Sequence, residues 1–252
     1  STVTDAPNEA LARADSLRLA GRYAQARDLL LELRRSEESN LEVLWRLVHT
    51  EVELGEHRHE GTAREDLYQS AFAHAETALA ADSTDPRAHL AQALAAGRLA
   101  QTVDSRGRRL ELSRLMKRRA DRALELDPKS HLAHYLLGRW HFELASIGTM
   151  TRLAARAVYG GIPSASLEEA ARHVRRAVEL EERIAYRLAL ARILRAQEEL
   201  APAAEHLATL LDLPTTLPGD AHRKERARTL LAEIRTELED EKKRRGWFGI
   251  SL

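Results

Sequence analysis

The chain has 252 residues, 44% apolar and 31% charged, with 39 basic and 39 acidic side chains, no cysteine and only 4% aromatic residues. Zero formal net charge is not the basic excess that holds nucleic-acid phosphates, so no nucleic-acid partner is expected. The absent cysteines exclude disulfides, thiolate nucleophiles and Cys-based zinc sites, and no apolar run approaches the ~18–20 residues of a transmembrane segment.

Leu, Ala, Arg and Glu dominate, all strong helix formers, while strand-favouring residues are sparse, so the fold class is all-α. The chain starts at Ser1 on a small, polar, Pro-containing stretch to Asn8, the remnant expected after a signal peptide is cut or the chain trimmed; an exported location is favoured over a cytoplasmic one. The first helical hairpin spans about 8–38. Its turn is Gly21-Arg22-Tyr23, with Leu11, Leu17, Leu29, Leu30 and Leu33 recurring on the apolar side and Ala14 and Ala26 permitting close approach. That is the logic of a roughly 34-residue helix–turn–helix repeat, whose single hairpin cannot bury its own apolar face.

The second unit, about 40–86, opens on Asn40 as N-cap, passes Trp45 and Leu54 to Gly55, and carries Ala71, Ala75, Ala78 and Leu79 in its second helix. Between the two helices Glu56 to Ala63 reads as a polar loop. The third, 88–128, ends Ala123-Leu124-Glu125-Leu126-Asp127-Pro128, where Pro128 is expected to pre-set the next helix. The fourth, 130–181, holds a long amphipathic insertion, Gly148 to Pro163, before a second helix from Ser164. The fifth, 182–214, carries Ala203 and Leu207, and Pro214 and Pro218 then break the chain. Asp220 is placed to cap a final helix over 219–245, striped by Leu230, Leu231, Ile234 and Leu238. An apolar tail follows at 246–252. A solenoid needs such a polar end-cap. The expectation is one continuous domain, 1–252, a right-handed superhelical solenoid of about five tetratricopeptide-like (TPR-like) hairpins.

The phrase Leu136-Leu137-Gly138-Arg139-Trp140, with Gly160-Gly161-Ile162-Pro163-Ser164-Ala165-Ser166-Leu167-Glu168-Glu169-Ala170 after the insertion, resembles the regulator of microtubule dynamics family. So do Leu44-Trp45-Arg46-Leu47 and the late Leu213-Pro214 with Asp220-Ala221-His222. The resemblance implies a TPR-like array without catalytic residues. It also implies kinship with animal proteins that associate with microtubules or organelle membranes, some linked to lipid handling. The Ala/Arg/Leu-rich composition is that of a bacterial member.

Chemistry-bearing constellations are few. His57 and His59 alternate in a polar loop, short of the four fixed ligands of a structural site, and His134 and His141 fall where repeat side chains pack in the core. No Gly-x-Ser-x-Gly elbow or phosphate loop is present, so the protein is read as no enzyme, with no cofactor and no metal. Arg106, Arg108, Arg109, Arg114, Lys117, Arg118, Arg119 and Arg122 crowd one stretch, either as a surface for an acidic partner or as a solvated face paired locally.

In this repeat class the first helix of each hairpin lines the concave groove. The inward set is then Trp45, His49 and Val52; Leu90, Ala93, Gly97 and Ala100; Leu132, Tyr135, Arg139, Phe142 and Glu143; and Leu188, Arg192 and Arg195. An aromatic and aliphatic floor with arginines suits an extended protein or peptide partner. The alternative is a carrier of a lipid or other apolar ligand, with the insertion as lid, and it stays open that the insertion itself fills the groove.

Overall fold

In the computed structural model, residues 5–57, 62–148, 161 and 163–248 are described, and among them there are eleven helices and no strand. They are α1 (Asp5–Leu19), α2 (Tyr23–Ser36), α3 (Leu41–Glu56), α4 (Thr62–Ala81), α5 (Pro86–Leu99), α6 (Arg106–Leu126), α7 (His131–Ala145), α8 (Leu167–Leu180), α9 (Ile184–Ala196), α10 (Leu200–Asp212) and α11 (Asp220–Phe248). The fold is the expected TPR-like array of helix pairs, α1–α2 to α9–α10, followed by α11. His59, nearly all of the expected insertion and residues 249–252 lie outside the described residues. The final helix continues through Gly246 to Phe248, three residues into the stretch expected as a tail.

Local chemistry sets several boundaries. Gly21, at φ +73°, closes α1 with Arg22 N–H on the Leu17 carbonyl and Gly21 N–H on Arg18, the left-handed stop that glycine adopts without Cβ strain. Asn40 and Asp85 accept from the amides of Glu42 and Arg87 at 2.8 Å each, and Pro86 fills the first position of α5. Pro128 does not play that part. Asp127 takes the Lys129 amide on its side chain and the Ser130 amide on its carbonyl, and Ser130 caps α7, so Pro128 sits in a turn. Asp220 also departs from expectation: its carboxylate reaches back to the amides of Thr216 and Leu217, fastening the preceding loop.

The backbone forms two compact units, divided inside α7. The first runs to Leu136 and includes Gly161 and Pro163. Its core joins Leu11, Ala14, Leu30, Val43 and Leu47 across α1–α3, then Leu44, Ala78 and Ala88 across α3–α5. The second comprises Leu137–Gly148 and the chain from Ser164 onward. There Leu188, Leu190, Ile193, Leu207 and Leu210 meet Ala227, Leu231 and Ile234 of α11.

Three glycines make the helix pairs tight. A Cβ at Gly55 would lie 2.4 Å from the Tyr68 ring, at Gly97 2.9 Å from Met116 Sδ, and at Gly138 2.3 Å from Val174 Cγ2. Each is on the first helix of a pair and faces the second. Glycine at these positions makes room for the Tyr68 ring and the Met116 side chain, and at Gly138 for the backbone of α8 as well.

Candidate functional site

On α3, Glu42, Trp45, Arg46, His49, Val52, Glu53 and Glu56 follow the three- and four-residue steps that share one helix face. Trp45 and His49 are half-buried at its middle and meet edge to face, ring centroids 4.1 Å apart. Val52 is buried. Charged side chains flank them. Arg46 donates to Asp15 of α1 at 3.0 Å and to Glu42 at 2.6 Å; Glu42 also pairs with Arg87, which holds Asp85 at 2.8 Å. At the other end Arg18 of α1 donates to Glu53 at 2.9 Å, and Arg98 of α5 pairs with Glu56. These pairs are partly exposed and individually worth about 0–1 kcal/mol, but together they fix the register of α1, α3 and α5.

Their titration follows from the contacts. Hydrogen bonds from Arg87 and Arg46 hold the Glu42 carboxyl below the ordinary range, and Arg87 does the same to Asp85. Glu53 moves the other way, because its burial outweighs Arg18. None of these interhelical pairs was anticipated from sequence. Their one sequence signal is opposite charges at matching positions on successive first helices.

The other expected groove residues of the first unit divide. Leu90 and Ala93 are buried in the packing of α5, at 6% and 0% exposure, and Gly97 abuts Met116 on α6. Ala93 opens no space to solvent, and Gly97 is half-buried. Tyr135 is half-buried on α7.

In the second unit Phe142 of α7 is half-buried and the Arg192 guanidinium of α9 stands over its ring, 5.8 Å from the centroid. Arg192 is exposed, and Arg139, one turn before Phe142, pairs with Glu143 at 2.8 Å. Leu188 is buried. Arg195 turns to the last helix, donating to Glu233 at 2.7 Å and pairing with Glu237. Phe142 and Arg192 are thus brought together, with Arg139 one turn before Phe142 on the same helix, while Arg195 ties down α11.

Glu51, which sequence reading passed over, is fully buried between α2, α3 and α4. It accepts from Arg27 Nε at 2.8 Å, Ser70 Oγ at 2.8 Å and His74 Nδ1 at 2.9 Å. Arg34 has only donors, so its 3.0 Å contact makes His74 Nε2 the acceptor and leaves the ring proton on Nδ1. A carboxylate orienting an imidazole is half of a general-base device, but here Nε2 is taken by Arg34 inside the core. The network is structural. His134 and His141 are buried, at 9% and 8% exposure, and His57 is exposed with Nδ1 2.8 Å from its own helix's Glu53 carbonyl.

The basic run on α6 is largely engaged. Arg108 pairs with Glu111, Lys117 with Asp121 and Arg122 with Glu125, while Arg109, Arg114 and Arg119 donate to the Val103 and Gly161 carbonyls and to Gln92. Three of its eight cations meet carboxylates, all along the same helix.

Comparison with known proteins places this arrangement. The model of the family described as regulator of microtubule dynamics protein 1-3 matches residues 10–235. Regulator of microtubule dynamics protein 3 of Xenopus laevis is 26% identical over 181 residues, which is 71% of this chain and 39% of the relative. Regulator of microtubule dynamics protein 1 of Mus musculus is 26% identical over 176 residues, 69% of this chain and 56% of the relative. The chain therefore spans about two fifths to just over half the length of these two relatives. A thermophilic TPR protein of Thermus thermophilus superposes with a TM-score of 0.67 at 19% identity, over 90% of this chain and 99% of that one, a likeness of fold.

Proposed function

Because this chain belongs to the regulator of microtubule dynamics family, and its fold is a TPR-like array of the kind that serves protein interaction, we propose that it is a non-enzymatic scaffold that binds a protein or peptide partner on the first-helix faces of its hairpins. The observation that carries the reading is the Phe142, Arg139 and Arg192 group on α7 and α9. An aromatic face receives an apolar side chain, and guanidinium groups at its edge receive carboxylates in planar, two-point fashion. The Arg139–Glu143 pair is open to solvent on the Glu143 side, 55% exposed, so a partner carboxylate displaces it at small cost. In the first unit Trp45 and His49 offer the corresponding contact on α3.

An apolar-ligand carrier is the competing reading. Two surface depressions in the first unit, of about 350 and 480 Å³, include Arg22 in the first and Arg27, Asp28 and Asp66 in the second. Tyr23, Leu54 and Leu67 line them as well, a mixed wall that suits an amphipathic chain such as a peptide.

Selection of a peptide library on the immobilised full chain, followed by fluorescence-anisotropy titration, tests the proposal. Selected peptides should pair an apolar residue with a nearby acidic one, and Arg139→Glu with Arg192→Glu should weaken them at least about tenfold, with helicity unchanged. Equal binding by the double variant overturns the assignment.

A further inference from the structure

Among the described residues, the scaffold reading leaves a cluster of metal-ligand type unused. His141 of α7 and Glu169 and His173 of α8 each direct a ligand-type atom to one place, all within 4.8 Å of one another. The two imidazoles are buried, at 8% and 7% exposure, and lie nearly parallel, 5.8 Å between centroids and 17° between planes. Glu169 and His173 are one turn apart on α8, whose start is fixed by Ser166 accepting the Glu169 amide. The near-contact of Gly138 with Val174 holds α7 and α8 close enough for the three to meet.

Arg172 shows what the cluster attracts. One of its terminal nitrogens lies 2.5 Å from the Glu169 carboxylate and 3.1 Å from His173 Nε2. A guanidinium only donates, so Nε2 is an acceptor, and its lone pair converges with the carboxylate on a point already holding positive charge.

We propose that His141, Glu169 and His173 form a binding site for a first-row divalent transition metal, Zn²⁺ being the best fit, with Arg172 as the cation it displaces. Two imidazole nitrogens and one carboxylate oxygen are a tetrahedral zinc donor set with a fourth position left for water, whereas Mg²⁺ and Ca²⁺ take oxygen ligands. Zinc bonds of about 2.0–2.1 Å bring the donors to roughly 3.3 Å from one another. Side-chain rotation supplies that contraction once Arg172 swings out. The Arg172 side chain is 59% exposed, so water receives it readily. A bound ion would pin α7 to α8 on either side of the segment that separates them in sequence.

Titration of the full chain with Co²⁺, read by its visible absorption, and with Zn²⁺ against a chromogenic chelator tests the site. One equivalent should bind with a tetrahedral cobalt spectrum and raise the thermal midpoint. His173→Gln and His141→Gln should each lose at least about tenfold in affinity, since even outer-shell changes cost that much. Glu169→Gln, at a partly exposed position, should weaken binding without threatening the fold. Arg172→Gln should tighten it, because the competing cation is gone. The other histidines of the chain give a background that none of these substitutions moves. Wild-type affinity in Glu169→Gln and His173→Gln, or weaker binding in Arg172→Gln, overturns the proposal.

Discussion

Gly138→Ala sets helix propensity against packing, and the two predict opposite signs. In an open helix alanine is better than glycine by about 0.8–1.0 kcal/mol. In this chain the new Cβ would stand 2.3 Å from Val174 Cγ2, 3.0 Å from the Ala170 carbonyl oxygen and 3.1 Å from the Val174 amide nitrogen. Two of those neighbours are backbone, and Val174 is fully buried and β-branched, so no flexible tip can swing aside. Overpacking of this kind costs about 1–3 kcal/mol, more where backbone must move. With backbone among the neighbours the cost lies in the upper half of that range, and less the propensity gain the net expectation is destabilisation by about 1–2 kcal/mol, or roughly 0.5 M in the urea midpoint at slopes of about 2–3 kcal/mol per M. Urea unfolding followed by circular dichroism measures it, and Val174→Ala in the same chain should recover part of the loss. A Gly138→Ala protein as stable as the parent, or more so, refutes the packing argument.

Other outcomes follow from the same contacts. Glu51→Ala leaves Arg27 and His74 facing a buried gap and should cost about 3 kcal/mol in denaturant unfolding. Glu198 holds φ +64° at the end of α9, where Glu199 N–H reaches the Leu194 carbonyl as Arg22 reaches Leu17 beside Gly21; Glu198→Gly should raise stability by about 1 kcal/mol. Burial, aided by Arg187, holds the His206 imidazole below its ordinary 6.5, so the unfolded chain takes the proton first and stability falls as pH drops below 6.5. Glu42 and Asp85, depressed by their arginines, add to the loss below about 4.5 and 3.8, whereas the raised Glu53 opposes it. His206→Gln should flatten the thermal midpoint just below pH 6.5; an unchanged slope there rejects the assignment.

Several helix ends, where a side chain acts on its own neighbours in sequence, were legible. Asn40, Asp85-Pro86 and the Gly21 turn announce helix ends because capping and left-handed backbone are local chemistry. Glu198 occupies the same kind of turn without glycine and gave no sign of it. Asp127-Pro128 misled because an Asx-type turn and a helix start share the same two residues. The groove set rests on a repeat phase taken from Pro128 and Gly138, and a Cβ at Gly97, one of its members, would meet Met116 of the partner helix. Glu51 with His74, and His141 with His173, stayed hidden because contacts between residues 23 and 32 positions apart depend on how helices pack, which periodicity within one helix does not encode.

Hydrogen–deuterium exchange of the full chain, with and without a selected peptide, addresses the scaffold reading most directly. Protection on α7 around Arg139–Glu143 and on α9 around Leu188–Arg195 is the predicted footprint. Protection confined to the second helices of the pairs, or to the basic face of α6, contradicts it.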